Sequence, residues 1–178
     1  MSNAGVGETA EMGQGETAQW RADVIQDFAR SELFERTFQE GMELVEETAA
    51  YLDGAGRQDS KLLSRNAALA YASESMRLTT RLMQVASWLL VQRAVREGHM
   101  APSAACDASY RLGGETPAPQ TSAEALPTPL SQLLDRSERL YERVRHLDRR
   151  MYVEADDTQP TTSPVLAQMA RLKDAFGG

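Results

Sequence analysis

From Leu130 to Met151 the register Leu130, Leu133, Ser137, Leu140, Val144, Leu147 and Met151 alternates steps of three and four without a break. That spacing puts all seven positions on one narrow stripe of an α-helix, whereas a strand would scatter them over both faces. A stripe of this kind over three heptads is a coiled-coil seam, and it is stable only against another helix. Thr128 supplies a cap, and Pro129 stands at the first helical position, where its missing N–H costs nothing. The chain is therefore bound to helix-on-helix packing.

Two further segments can supply the facing helices. Ser31, followed by Glu32 and Glu35, predicts a start at which carboxylates meet the positive end of the helix dipole. The stripe Phe34, Phe38, Met42, Val45, Ala49 and Leu52 then runs to Gly54 and Gly56, which end it. A second helix is predicted from Lys61 or Ser64 to Glu97, closed by Gly98, with a length of about 50 Å. It carries two apolar stripes, Leu69, Met76, Met83 and Leu90 on one side and Leu78, Leu82, Val85 and Leu89 on another. A helix that is apolar on two sides has neighbours on two sides, and with Trp88 added this predicts a homodimer.

Charge agrees with that assembly. Residues 31–56 hold seven acids and one base, while residues 57–98 hold three acids and seven bases, and residues 130–152 hold four and six. An acidic helix beside two basic ones predicts an all-α fold: a three-helix antiparallel bundle with long helices and flexible N-terminal and C-terminal segments. The boundaries are residues 1–30 disordered or loosely packed, a bundle over 31–152 (helices at about 31–53, 61–97 and 129–152, loop 99–127), and a tail over 153–178. The first segment repeats Gly-Glu-Thr-Ala at 7–10 and 15–18 with few bulky apolar side chains. Trp20, Val24, Ile25 and Phe28 suit a turn of helix or an extended stretch on the core. The loop is rich in proline and glycine. The tail passes through an acidic spacer, Glu154 to Pro160, to a short amphipathic helix presenting Val165, Leu166, Met169, Leu172 and Phe176. These five suit a groove on a partner, or else they fold back on the bundle.

At 178 residues and 42% hydrophobic, the chain can bury a core without a metal or disulfide staple, and its one cysteine, Cys106, forms no intrachain bridge. The reading is cytoplasmic: no apolar run approaches the roughly 20 residues of a spanning helix, and the acidic first twenty residues do not read as a secretory signal. Catalytic chemistry finds little here. Glu142 and His146 stand four apart on one helix with no second Glu-x-x-His, which argues against a dimetal site. His99 reads as a surface residue and Cys106 as an idle thiol, and Gly13-Gln14-Gly15 follows no strand that would make it a phosphate cradle. No catalytic residue, cofactor or metal ligand is assigned. Arg77, Arg81, Arg136, Arg139 and Arg143 form a candidate partner surface. A nucleic-acid strip over Arg136, Arg139, Arg143 and Arg150, extended by Arg77, Arg81, Arg93 and Arg96, is disfavoured by interleaved acids, the lack of aromatics for base stacking and the net charge of −7. A dimeric helical regulator binding nucleic acid is the alternative reading.

The stretches Glu46–Arg57 (EETAAYLDGAGR) and Ala68–Gly98 (ALAYASESMRLTTRLMQVASWLLVQRAVREG) resemble the RcdA family, the "regulator of CtrA degradation" proteins of alphaproteobacteria. The likeness continues through Leu130 to Tyr152, covering roughly residues 31–152. It implies a dimeric three-helix bundle acting as a non-enzymatic adaptor, which helps the ClpXP protease, primed by the response regulator CpdR, take up cell-cycle regulator cargo at the cell pole. It also implies a cyclic-di-GMP-binding adaptor, PopA, as a further partner, and a flexible C-terminal tail used in interaction. The family has no pattern that matches residues 5–30.

Overall fold

The computed structural model describes residues 8–114 and 126–152, with side chains from residue 15 onward. The described chain is all-α: α1 (Glu8–Arg30), α2 (Glu32–Asp53), α3 (Ala55–Lys61), α4 (Arg65–Arg96), α5 (Pro102–Ala105), a 3-10 turn (Ala108–Tyr110) and α6 (Thr128–Tyr152). The Ser31 hydroxyl accepts the Phe34 N–H at 3.1 Å and donates to the Phe28 carbonyl at 2.6 Å, so one side chain caps α2 and ties it to α1. Ser64 caps α4 in the same way through the Ala67 N–H. After α4 the chain turns at Gly98, whose φ of 76° is the left-handed conformation that glycine adopts most cheaply.

Two expectations change. The segment before Arg30, read as disordered or loosely packed, is helical from Glu8 and makes a fourth long helix. Ile25 and Phe28, expected on the core, hold it together with the small Ala22 and Ala29: Ala22, Ile25 and Ala29 are buried, and the Phe28 ring lies 5.7 Å from both Phe34 and Trp88. Trp20, expected on the core, is an exposed large hydrophobic.

The bundle is also not uniformly antiparallel. Glu40 pairs with Arg143 and Glu47 with Arg136, so α2 and α6 run in opposite directions. Arg96 pairs with Glu35 near the start of α2, so α2 opposes α4 as well. Arg81 and Trp88 of α4 bond Ser137 and Asp148 of α6 in the same order, so α4 and α6 are parallel. Two parallel helices need a connection that runs back the length of the bundle, and residues 97–127 supply it. Its described part is a strap laid on the helices. The Tyr152 hydroxyl donates to the Ala105 carbonyl at 2.6 Å, Arg111 and the Leu112 N–H bond Asp148, Tyr141 donates to Gly113 at 2.7 Å, and Gln84 donates to Gly114 at 3.1 Å.

The core sits where α2 crosses the parallel pair. Phe34, Leu44, Leu78, Leu89, Leu130, Leu140 and Val144 are almost fully buried there. Gly41 permits the close crossing, since a Cβ would meet Leu89 Cδ1 at 2.7 Å.

Candidate docking faces

The two stripes of α4 have opposite fates. Leu78, Leu82, Val85 and Leu89 are core, but Leu69, Met76, Met83 and Leu90 are 65%, 73%, 66% and 52% exposed, and Leu62, one heptad before, is 87% exposed. Five large apolar side chains at seven-residue intervals on solvent are not ordinary surface scatter. Their neighbours on that face are small: Ala72, Thr79, Thr80 and Ser87 are exposed between them.

The charges of this helix explain why the face is so uniform. Between Arg65 and Arg93 the charged residues are Glu74, Arg77 and Arg81, and all three turn inward. Glu74 is buried and accepts two bonds from Arg77, at 2.7 and 2.9 Å. Arg81 is buried and donates to the Ser137 hydroxyl at 3.0 Å, which accounts for the single polar position in the α6 seam. What remains is a strip of about 40 Å without an exposed charge, on a chain that is 25% charged. Depletion of charge is the compositional mark of an interface core.

On its α2 side the strip borders a groove of about 300 Å³, walled by Val45, Ala49, Leu52, Leu82, Met83 and Ala86. Thr48 is buried at this groove, and its hydroxyl has no hydrogen-bond partner among the described residues. On the other side a second groove of about 470 Å³ lies between α4 and the strap, and Met83 lines both.

The five candidate arginines do not make one surface. Arg81 is buried, which corrects its assignment to a partner face, and Arg77 is spent on Glu74. Arg136 and Arg143 reach across to Glu47 and Glu40, each at 2.5 Å. Arg139 is exposed on α6 and makes none of these pairs. The tail residues Val165, Leu166, Met169, Leu172 and Phe176 lie outside the described residues.

Asp148 is a hub that the sequence did not single out. Its Oδ1 accepts the Trp88 indole N–H at 3.0 Å and the Leu112 N–H at 3.1 Å, and its Oδ2 accepts Arg111 at 3.1 Å. Arg111 also lies over the Tyr152 ring. Burial, and then the Asp148 charge, push the Tyr152 phenol up to about 12. Burial likewise raises the Cys106 thiol against the pull of Arg21, the opposite of an activated nucleophile. Glu142 pairs with Arg145, and among the described residues no three His, Cys, Asp or Glu side chains gather into a metal site. No described helix is long and apolar enough to cross a membrane.

Comparison with known proteins agrees with this architecture. The crystal structure of RcdA from Caulobacter crescentus CB15 is 75% identical, with 72% of this chain and 98% of that chain covered and a TM-score of 0.62. Curated proteins give no match. The family model described as "Protein of unknown function (DUF1465)" matches residues 25–176, from the buried Ile25 of α1 into the tail. The chain thus belongs to the RcdA family, the DUF1465 proteins.

Proposed function

We propose that this protein is a non-enzymatic adaptor for regulated proteolysis, a homodimer that bridges a ClpXP protease primed by CpdR to cell-cycle regulators. In this reading PopA is a further partner, and the complex works in the cytoplasm at the cell pole. Kinship to RcdA supports the class of role. The observation that carries it is the uncharged strip of α4, a surface with no internal purpose. Each of its side chains is worth about 1.5–3 kcal/mol when fully buried against another protein, before the costs of association are deducted.

The strip suits pairing with a second copy. Large residues recur every seven positions with small ones between them, so the knobs of one α4 can enter the hollows of another. Arg136 and Arg143 neutralise α2 carboxylates, which speaks against a phosphate-binding strip.

Binding of the labelled full chain to ClpX, with and without the response regulator, tests the reading by fluorescence anisotropy. Binding that requires the primer supports it. Equal affinity for duplex DNA, falling steeply with salt, would replace it with a nucleic-acid regulator.

A further inference from the structure

The middle of the α4 strip carries different chemistry from its ends. Leu62, Leu69 and Leu90 are plain hydrocarbon, but Met76 and Met83 put two thioethers on solvent, about 10 Å apart along the helix axis. The other methionines whose side chains are described, Met42, Met100 and Met151, pack on the core. We propose that Met76 and Met83 form a reversible oxidation site for peroxides, and that their sulfoxides keep the α4 faces of two copies apart. This rests on the reading in which the strip pairs the chain with itself.

The chemistry needs no catalytic group. A thioether sulfur on solvent attacks one oxygen of hydrogen peroxide: the O–O bond breaks, an S–O bond forms, sulfur is oxidised by two electrons and the second oxygen leaves as water with both protons. Leucine has no such reaction, so the ends of the strip are inert to it. The product is a polar, chiral side chain where a flexible apolar one stood, and it is the form that methionine sulfoxide reductases return to the thioether.

What the product does follows from the absence of charge on this face. A sulfoxide oxygen is a hydrogen-bond acceptor, and burying an acceptor without a donor is unfavourable. The charged and amide donors nearby are already spent: Arg77 on Glu74, Arg81 on Ser137 and Gln84 on the Gly114 carbonyl. The Thr79 hydroxyl, one turn from each methionine, donates to the Ser75 carbonyl at 2.9 Å. On the single chain water solvates both sulfoxides and the bundle is untouched, since neither side chain belongs to the core. Between two copies the same oxygens would be enclosed by leucine and methionine. Met83 also lines the grooves on both sides of α4, so its oxidation changes both at once. Pairing and oxidation thus compete for two sulfurs: the pair shields them, and the oxidised chain does not return to the pair.

Treating the full chain with hydrogen peroxide tests this, with added oxygen mapped by peptide mass spectrometry, pairing measured by sedimentation velocity and folding followed by circular dichroism. The parent is expected to pair before treatment, to gain one oxygen at each of Met76 and Met83 while the buried Met151 is spared, and to keep its helical spectrum. Its dissociation constant should then rise at least about tenfold. A methionine sulfoxide reductase should restore pairing, whereas dithiothreitol, which reverses disulfide and sulfenic acid formation at Cys106, should not. A Met76→Leu, Met83→Leu chain, which keeps the volume and apolarity of the strip, should pair equally before and after treatment. Unchanged pairing with both sulfoxides present, recovery with dithiothreitol alone, or equal loss of pairing in the leucine variant would each overturn the proposal and leave the pairing itself standing. A parent that is monomeric before treatment would overturn the pairing reading and the proposal together.

Discussion

Replacing Asp148 by alanine tests whether the strap is fastened to the bundle by one buried carboxylate. The change removes the acceptor of the Trp88 indole N–H, at 3.0 Å, and of the Leu112 N–H, at 3.1 Å, and deletes the partner of Arg111. A buried donor left unsatisfied costs about 1–3 kcal/mol. Trp88 is 2% exposed and meets the full penalty, whereas Leu112 is only partly buried and meets less. Arg111 is more than a third exposed and is resolvated, so its lost pair contributes little. The total is about 2–4 kcal/mol, or a fall in melting temperature of roughly 5–15 °C for a domain of this size. Thermal unfolding followed by circular dichroism measures it. Asp148→Asn keeps an oxygen for Trp88 and Leu112 and should cost less than half as much. In a Trp88→Phe background the alanine change should lose part of its effect, because one orphaned donor is already gone. A melting temperature within 2 °C of the parent for Asp148→Ala would refute the reasoning and make the strap incidental to stability.

Three further outcomes follow from the core and the phenols. Leu140→Asp or Val144→Asp should leave the chain unfolded at 25 °C by circular dichroism, since each places an unpaired charge at a fully buried seam position; retained helicity would make α6 peripheral. Gly56→Ala should destabilise by about 1–3 kcal/mol in urea titration despite better helix propensity, because its Cβ would meet the Tyr51 carbonyl oxygen at 2.8 Å and the Tyr71 hydroxyl at 2.5 Å; a stabilised variant would show that the α2–α3 turn relaxes freely. Tyr152, raised from 10.0 to about 12, and Tyr51, raised further by burial and the Asp59 carboxylate, hold their protons more tightly folded than unfolded. Their contribution is complete below pH 10 and is lost as pH rises from 10 through 12, so phenolate absorbance should appear in two phases, the later one together with unfolding. A single phase near pH 10 with the helical signal intact would contradict this.

The seam of α6 and the cap of α2 were legible because periodicity and capping are local: Leu130 to Met151 needs no knowledge of its neighbours, nor does Ser31 with its two glutamates. Helix direction was not. Acidic and basic helices pair equally well in either orientation, and the parallel run of α4 and α6 shows only in which residues meet, Arg81 with Ser137 and Trp88 with Asp148. The first helix was obscured because two of its three fully buried apolar residues, Ala22 and Ala29, carry little hydropathy beside Ile25, while its largest apolar residue, Trp20, faces water. Of the candidate surfaces, the second stripe of α4 was visible as a stripe, but its exposure was not, since four apolar residues at heptad spacing read the same in a core. Arg81 was misplaced for the converse reason: an arginine on a basic helix reads as surface unless its acceptor, Ser137 on another helix, is known.

In the proposed role the uncharged face of α4 pairs two copies of the chain, and assistance to proteolysis depends on that pair. The most direct measurement of that dependence is the rate at which ClpXP with CpdR degrades a cell-cycle regulator in the presence of the full chain or of a Met76→Glu, Met83→Glu variant. Both methionines are on solvent in the single chain, so the variant should keep its helical spectrum while losing the second copy. The parent chain is expected to accelerate turnover, and the variant to lose at least about tenfold of that effect, the equivalent of about 1.4 kcal/mol or more of association energy. Acceleration by the variant equal to that of the parent, with both proteins folded, would contradict it.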